Sequence, residues 1–340
     1  MMQTVDNMSS GSTGKKGVIS PYFDISGFAS YSGMWHSHIH RAFPGFEEAA
    51  DICRHGGFSF LGVTEHDCRF PQVELGEKEW YKVGSEDFLV IRGFEASHPM
   101  GHVTCLGFLP EQTGVDVLAA YRNRFEGADL DAGYEGFLEN AAALGAFTAL
   151  NHPASWRDKV EELISWPGFE HIDAMEIYNG GRAGKSESKG CADDLYDACL
   201  SRGHRLWCGA NPDCHSWDTE LPDGPYNGYS VVFASSLSRS DILESLKAGR
   251  FYASTGLHLD ELSLTGESLA VGAENCRRIS FYGSGRKLLQ EQQGGRAEYR
   301  FKGDEGYVRA ELEGPPASLK PGEASARAWL QPVWLQLELQ

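Results

Sequence analysis

Short apolar runs alternate with amphipathic helical stretches through most of this chain, about seven times between residues 33 and 250. Phe46, Ala49, Ala50 and Cys53 fall at the i, i+3, i+4 and i+7 positions of one helix face, and an apolar run from residue 58 to residue 63 follows. A strand that is apolar along its whole length is typical of a sheet covered on both faces. Strand, helix and strand in close succession form a βαβ unit, so the alternation predicts a parallel, barrel-like α/β fold rather than a β-sandwich. Within it we predict a short strand at residues 34–39, which carries His36 and His38, and a polar loop at residues 180–190.

The pattern changes near Gly256. From Leu259 onward the apolar segments are short, alternate with polar residues and are separated by Gly/Pro turns, as is typical of antiparallel strands. Residues 1–20 are polar and rich in Gly and Ser, and they lack the apolar run of a secretory signal. We therefore predict a disordered tail at 1–20, a barrel domain at 21–256 and a small β-sandwich-like domain at 257–340.

The charge of the chain limits its partners. The 340 residues carry a formal net charge of −18 at pH 7, which repels nucleic-acid phosphates and anionic membranes at long range. No stretch approaches the roughly 18 apolar residues that a membrane span requires. We expect neither a nucleic acid nor a membrane as partner. A small-molecule, anionic substrate stays possible, because a bound cation would attract it locally.

The cysteines indicate the cellular compartment. Eight are present without a CxxC pair, which argues against a structural zinc cluster. Most lie within or beside apolar runs, so we expect buried free thiols rather than a disulfide framework. Free thiols persist in a reducing compartment, and we predict a cytoplasmic protein.

Histidines and acidic residues cluster in short segments of the α/β region. His36 and His38 are one residue apart, so on an extended strand both imidazoles point to the same side and reach one ion. Such a pair is weak evidence for a metal site on its own. The later segments strengthen it, because each stands at the end of an apolar run, except that His102 stands at the start of one. Barrels and open sheets build their sites at that edge. The segments that predict a metal site here are Thr64–Asp67, Gly93–Glu95, Gly101–His102, Asn151–Pro153 and Asp213–His215.

In order and spacing these segments resemble the polymerase-and-histidinol-phosphatase (PHP) superfamily of metal-dependent hydrolases. The pattern of that family runs HxH, T-D-H-D-like, P-G-x-E-like, G-H, x-H-P and D-x-H, and the matching segments here cover residues 30–255. The stretch from Gly249 to Gly256, together with residues 307–312 and 328–334, looks like the branch that includes carbaryl-hydrolase-like proteins.

The resemblance implies a distorted, TIM-like (β/α)7 barrel with two or three divalent ions at the carboxyl ends of its strands. It implies a first ion on His36, His38, Glu95 and Asp213. A second would share Glu95 and add His102 and His152, and a third would take His66 and His215. Zinc, manganese and iron all suit histidines mixed with carboxylates.

One position departs from the family pattern. Where the family supplies another ligand for the third ion, this chain has Phe43, so that ion should bind more weakly. His40 is an alternative ligand, and Arg41 is a fixed positive charge that would replace the ion. The candidate substrate contacts are His40, Arg41, His98 and Arg182, and the candidates for orienting a ligand histidine are Asp67 and Glu176.

The predicted chemistry is hydrolysis by a metal-bound hydroxide, held by Glu95 and Asp213. The first hypothesis is a phosphoesterase for a small phosphorylated metabolite. The second keeps the ions and changes the bond to a carbamate or carboxylic ester, and the third is a non-catalytic binding protein stabilised by metal. The sequence has no GxSxG serine motif and no GxGxxG motif that links a strand to a helix, which argues against serine hydrolysis and dinucleotide binding.

Overall fold

A computed structural model describes most of the chain, namely residues 13–14, 17–39, 46–66, 87–98, 101–108, 130–221, 223–317 and 324–335. Within these ranges it is a mixed α/β protein, in which strands that are largely parallel precede a set of antiparallel strands. No helix in the described ranges is long and apolar enough to cross a membrane.

Seven consecutive strands of the described residues form the part of the sheet that carries the histidine segments. They are β3 (Ala29–Met34), β4 (Phe60–His66), β5 (Leu89–His98), β6 (Gly101–Leu106), β7 (Phe147–Leu150), β8 (Ala174–Asn179) and β9 (Trp207–Asn211). β3, β4 and β5 pair in parallel, as do β7, β8 and β9. β6 pairs antiparallel with both β5 and β7, so it alone among the seven runs in the reverse direction.

Helices connect these strands, as the sequence predicts. The described α-helices are α1 (Phe46–His55), α2 (Leu130–Ala143), α3 (Val160–Ile164), α4 (Gly180–Ala183), α5 (Glu187–Gly190), α6 (Asp193–Ser201) and α7 (Arg239–Lys247). Single 3-10 turns lie at Pro21–Asp24, Pro153–Trp156, Phe169–His171 and Ser284–Arg286. In α1, Ala49, Ala50 and Cys53 are buried and Glu47 and Glu48 are exposed, because the apolar face lies against the sheet.

Two local predictions are wrong. We expected a strand at residues 34–39 with both histidines on it, but β3 ends at Met34 and His36 and His38 follow the strand. An isolated parallel bridge, Ser37 with Cys214, keeps the backbone extended there, and His38 N donates to Cys214 O at 2.9 Å. We also expected a loop at 180–190. That stretch contains α4 and α5, and the side chain of Asn179 caps α4 by accepting from Arg182 N.

Antiparallel strands complete the described structure. They are β1 (Thr13–Gly14), β2 (Val18–Ile19), β10 (Tyr229–Ala234), β11 (Phe251–Ser254), β12 (Glu261–Leu264), β13 (Ser268–Gly272), β14 (Arg278–Gly283), β15 (Lys287–Gln293), β16 (Arg296–Arg300), β17 (Tyr307–Gly314), β18 (Ala326–Trp329) and β19 (Val333–Leu335). β10 pairs with β3, β11 with β10, and β18 joins β11 to β17. β12, β13 and β16 form a separate three-stranded sheet. The antiparallel character predicted beyond residue 256 is confirmed, and the domain boundaries stay a prediction.

The range 1–20, for which we predicted a disordered tail, contributes strand pairing where it is described. β2 pairs antiparallel with β19, with Ile19 opposite Trp334 and Val18 opposite Leu335. Val18 is buried in this pairing, so its apolar side chain supplies a reason for the local order. Residues 1–12 and 15–16 lie outside the described residues.

Trp35 is the residue around which the strands pack. Its ring is fully buried, meets Phe147 edge-to-face at 5.4 Å and donates from Nε1 to Ser230 Oγ at 3.1 Å. Glycines make room for it, because a Cβ on Gly209 would lie 2.4 Å from the indole and one on Gly62 would lie 2.7 Å from Trp35 Cα. Trp35, which directly precedes His36, is therefore fixed in position by contacts on several sides.

The seven described cysteines are buried and free, as predicted, and Cys68 lies outside the described residues. Burial raises the pKa of the Cys105, Cys199 and Cys208 thiols to about 12. These thiols are therefore protonated apolar groups of the core at neutral pH.

Candidate metal centre

The predicted ligand residues meet at one edge of the seven strands. His36 and His38 follow β3, His66 ends β4, Glu95 lies on β5, His152 follows β7, and Asp213 and His215 follow β9. His102 stands at the start of β6 rather than at its end. Because β6 runs in reverse, its beginning lies at the same edge as the carboxyl ends of its neighbours, and Ser97 on β5 faces His102 directly. The reversal explains the residue that broke the sequence pattern.

Glu95 lies at the middle of the cluster. Its carboxylate is fully buried, and Oε1 lies 2.9 Å from His102 Nδ1, 3.2 Å from His152 Nε2 and 3.4 Å from His36 Nε2. Oε2 lies 2.7 Å from His66 Nδ1 and 3.4 Å from His38 Nε2. One carboxylate thus faces histidines from several strands with both oxygens, as a bridging ligand does.

Asp213 lies close to both histidines of the HxH pair. Its Oδ1 lies 3.2 Å from His38 Nε2 and 3.5 Å from His36 Nε2, and the two Nε2 atoms are 3.3 Å apart. Two ligands of one ion at about 2.1 Å lie roughly 3.0–3.4 Å apart, so these spacings suit a shared ion. Three groups of potential ligand atoms converge closely enough: His36 with His38 and Asp213, His66 with Glu95 and His102, and His38 with His66 and His215.

The buried carboxylates of Glu95 and Asp213 favour a bound cation. Burial raises and the neighbouring histidines lower the pKa of Glu95, with a net value well below its usual range, and the pKa of Asp213 is lowered in the same way. Glu95 Oε2 and Asp213 Oδ1 are buried and lack a hydrogen bond of good geometry, although His66 Nδ1 lies 2.7 Å from Oε2 and His38 Nε2 lies 3.2 Å from Oδ1. Buried, ionised oxygens of this kind are costly unless a positive charge satisfies them, so the donor set fits divalent metal ions.

The histidines divide into two groups. Burial lowers the pKa of His36 and His38, but the surrounding carboxylates outweigh it and raise the pKa of His38 to about 9 and that of His36 well above its usual value. Burial lowers the pKa of His66, and it lowers that of His215 to about 4. The carboxylates thus favour a positive charge at His36 and His38, which a metal ion would also supply. His66 and His215 are neutral imidazoles, the form that binds metal ions.

The backbone is strained at two of these residues. His152 has φ 35° and Asp213 has φ 47°, in the left-handed region that residues other than glycine rarely adopt. His152 precedes Pro153 and Asp213 follows Pro212. Strained backbone persists where the surroundings fix it, and it clusters at functional sites.

A carboxylate and three amides behind the ligands hold them in place. Glu176, which we predicted to orient a histidine, accepts from His36 Nδ1 at 2.8 Å, so His36 presents Nε2 to the cluster. Asn151, Asn179 and Asn211 are buried beside the ligands. The sequence placed Asn151 in the segment Asn151–Pro153, but none of the three was given a role. Asn151 follows β7, and Asn179 and Asn211 end β8 and β9, so their placement at the carboxyl ends of strands is the signal that could have identified them.

Two further candidates lie on elements near this edge. Arg182 is exposed on α4, which follows β8 at the same edge. His98 is the last residue of β5. His40, Arg41, Phe43 and Asp67 lie outside the described residues, so their predicted roles stay predictions.

Comparison with solved structures identifies the fold. A two-domain protein from Bacteroides vulgatus ATCC 8482, which contains a predicted PHP-like metal-dependent phosphoesterase, aligns with 96% of this chain and 100% of its own length, at 16% identity and a TM-score of 0.50. The chain shares the fold of that protein. The predicted PHP resemblance is confirmed at the level of the fold, and the carbaryl-hydrolase-like branch stays a prediction.

Two other solved structures align with about half of this chain. A protein from Bifidobacterium adolescentis ATCC 15703, provisionally named a metal-dependent phosphoesterase, aligns with 53% of this chain and 86% of its own, at 13% identity and a TM-score of 0.34. An amidohydrolase from Chromobacterium violaceum with bound sulfate and no metal aligns with 56% of this chain and 89% of its own, at 14% identity and a TM-score of 0.35. Neither a protein-family model nor a curated protein sequence matches the chain.

Proposed function

We propose that this chain is a metal-dependent hydrolase of the PHP superfamily and acts as a phosphoesterase on a small phosphorylated metabolite. The observation that carries the proposal is the position of Glu95, a buried carboxylate within 3.4 Å of five imidazole nitrogens. A carboxylate shared among histidines is the donor set of a centre with more than one divalent ion.

The proposed architecture around this centre is a distorted (β/α)7 barrel. β3 to β9 are neighbours in sequence order, and the bridge between Ser37 and Cys214 links the continuation of β3 to that of β9. Ser230 lies on β10, which pairs with β3, and its Oγ donates to Ala210 O on β9 at 3.4 Å. The bridge between Ser37 and Cys214 supports closure of the seven strands at their carboxyl edge, where barrel enzymes build their sites, and β10 contacts both β3 and β9.

We assign the ligands as the sequence predicts them. The first ion takes His36, His38, Glu95 and Asp213, whose facing atoms lie 3.2–3.5 Å apart. The second shares Glu95 and adds His102 and His152. The third takes His66 and His215, and the contact of His66 with Glu95 at 2.7 Å supports its membership of the centre.

Bound ions of this kind activate water and stabilise the charge that builds on a phosphoryl oxygen. The residues of the chain supply the rest. Glu176 fixes the tautomer of His36, while Glu95 and Asp213 hold the ionised oxygens inward. Arg182 stands exposed at the same edge, where a guanidinium can pair with an anionic substrate.

A panel of phosphate monoesters and diesters tests the activity. We expect purified protein loaded with Mn²⁺, Zn²⁺ or Fe²⁺ to release inorganic phosphate and an alcohol from a monoester, or an alcohol and a phosphate monoester from a diester. Asp213→Asn should lower kcat/KM by at least about 100-fold, since a carboxylate ligand is lost. The matched control is Asp304→Asn on an exposed loop, which should retain full activity. Absence of both alcohol and phosphate release from every phosphate ester, with metal-loaded protein, would refute the phosphoesterase.

The same preparation tests the alternative bond. Aryl carboxylic esters and carbamates are added to the panel, because the donor set also suits attack on a polarised carbonyl. Hydrolysis of these esters alone, with the same loss in Asp213→Asn, would assign carbamate or carboxylic ester hydrolysis. A metal-loaded protein that binds ions and hydrolyses neither class would be the metal-stabilised binding protein.

A further inference from the structure

Three buried asparagines occupy equivalent places behind the metal centre. Asn151 follows β7 directly, Asn179 is the last residue of β8, and Asn211 is the last residue of β9. Their exposed fractions are 1%, 0% and 0%. We refer to these three residues as the amide collar. Buried amides need hydrogen-bond partners, so their contacts indicate their role.

Each member of the collar contacts a different part of the ligand set. Asn151 Nδ2 donates to Glu95 Oε1 at 2.9 Å. Asn211 Oδ1 accepts from Trp35 N at 2.8 Å and from His36 N at 3.2 Å, which fixes the backbone that leads into the HxH pair. The amides therefore reach both the bridging carboxylate and the first histidine.

Asn179 makes the most extensive set of contacts. Its Nδ2 donates to Glu176 Oε2 at 2.7 Å and to Asp213 Oδ2 at 3.3 Å. Glu176 in turn accepts from His36 Nδ1 at 2.8 Å and from His152 N at 2.7 Å. A single NH2 group thus ties Asp213 to the carboxylate that holds His36 and the strained backbone of His152.

The amide is suited to this position because it donates hydrogen bonds without a formal charge. A lysine or arginine here would hold the two carboxylates as well, but its positive charge would oppose binding of a cation a few ångströms away. Asp213 needs such support, since its left-handed backbone, with φ 47°, places it outside the regular strand. Its Oδ2 faces Asn179, which leaves Oδ1 directed at His36 and His38.

We propose that Asn179 is a positioning residue that sets the geometry of Asp213, His36 and His152 together, and that it thereby determines how tightly the centre holds its ions. The inference rests on the metal centre of the proposed function. It concerns metal affinity and coordination geometry, and it does not depend on which bond is hydrolysed. It predicts that loss of the Asn179 amide weakens metal binding while every ligand residue stays present.

The test compares Asn179→Ala with the wild-type chain. We expect the dissociation constant for Mn²⁺, measured by calorimetry, to rise about 10- to 100-fold, as for other residues that orient metal ligands. The visible absorption of the Co²⁺-loaded protein should change in shape, because Asp213 and His36 shift. The matched control is Asn140→Ala, an exposed amide on α2, for which both measurements should equal those of the wild type.

Asn179→Thr provides a second variant, since a threonine folds well at a strand end and keeps one donor. It should bind Mn²⁺ with an affinity between those of the wild type and Asn179→Ala. A folded variant of either kind with a wild-type Co²⁺ spectrum and a Mn²⁺ affinity within twofold of the wild type would overturn the inference. Wild-type protein that binds Mn²⁺ but hydrolyses no phosphate monoester or diester would instead refute the proposed phosphoesterase and leave this comparison valid.

Discussion

At the scale of single residues, Glu95 has more consequences than any of the histidines around it. It is the carboxylate that the first and second candidate ions would share in our assignment, and its two oxygens face different histidines. An imidazole lost from the cluster removes one ligand from one ion. Loss of the Glu95 charge removes a ligand from two ions and the negative field that favours both.

We therefore expect Glu95→Gln to bind at least one ion fewer per chain than the wild type. The glutamine is isosteric, so the change removes charge with little change of volume. Metal content measured by elemental analysis after equilibrium dialysis provides the readout. The control is Glu274→Gln, an exposed residue, whose metal content should match the wild type. Equal stoichiometry in Glu95→Gln would contradict the bridging role.

At the scale of elements, the spacing between β4 and the segment after β3 sets the position of the HxH pair. Gly62 on β4 has no side chain, and a Cβ there would lie 2.7 Å from Trp35 Cα and 3.0 Å from its carbonyl carbon. These are backbone atoms next to His36, so they cannot move aside as a flexible side chain would. Ser37 Oγ also donates to Gly62 O at 2.6 Å. The two segments are therefore in close and fixed contact.

Gly62→Ala should lower the free energy of unfolding by about 2–3 kcal/mol, since it overpacks the core against backbone. It should also weaken Mn²⁺ binding, because Trp35 and His36 must shift. Chemical denaturation and calorimetry measure the two effects. The same substitution in α2, Gly136→Ala, meets no atom within 4 Å and should raise the free energy of unfolding by about 0.5–1 kcal/mol. Destabilisation by both variants would indicate that the contact at Trp35 is not the cause.

At the scale of the whole molecule, a buried ion network joins the α/β region to the antiparallel strands. Asp197 on α6 is 1% exposed and accepts from Arg309 Nε at 2.8 Å, from Tyr307 OH at 2.6 Å and from Arg286 Nη1 at 2.8 Å. Arg309 is fully buried on β17. Glu311, also on β17, lies 2.7 Å from Arg309 Nη2. Such a network holds the two parts of the molecule in one orientation.

The network makes the free energy of unfolding depend on pH in the acidic range. Burial raises the pKa of Asp197, but Arg309 outweighs it, so the folded pKa lies below the unfolded value of 3.8. The stabilisation is then fully present above about pH 4 and is lost as the pH falls through the folded value. Asp193 differs, because burial raises its pKa despite Arg327, and it therefore adds nothing to this acid-linked stabilisation.

We expect Asp197→Asn to lower the free energy of unfolding at pH 7 by about 3–5 kcal/mol, because Arg309 is left buried without its partner. Urea unfolding between pH 7 and pH 3 should also show a smaller loss of stability on acidification than in the wild type. Glu244→Gln, which breaks an exposed pair with Arg250, is the control and should change stability by about 0–1 kcal/mol. An unchanged acid profile in Asp197→Asn would exclude Asp197 as its source.

The sequence was most informative where chemistry restricts the residue types. Histidines in an HxH or x-H-P segment are uncommon at strand ends, so His36, His38 and His152 were identified as candidates before any contact was known. The asparagines of the amide collar escaped notice because asparagine is frequent in turns and carries no distinctive spacing. The pairing of Asp197 with Arg309 spans 112 residues, and no local pattern indicates it.

Strand direction and strand number were harder to predict. An apolar run does not show its direction, so the reversal of β6 could be inferred only from the misplaced His102. β15 is polar along much of its length because it pairs with β14 alone among the described strands. Its sequence therefore lacks the alternation from which we predicted its neighbours.

The shared charges of the ion network also bear on how this chain can change over evolutionary time. Arg309 belongs to β17 and Arg286 to the 3-10 turn that follows β14, whereas Asp197 belongs to α6 of the α/β region. A recombination event that joined the same α/β region to an unrelated β domain would leave the buried carboxylate of Asp197 without a positive partner. The two halves are therefore expected to be inherited as a pair, with exchanges confined to loops that carry none of these charges.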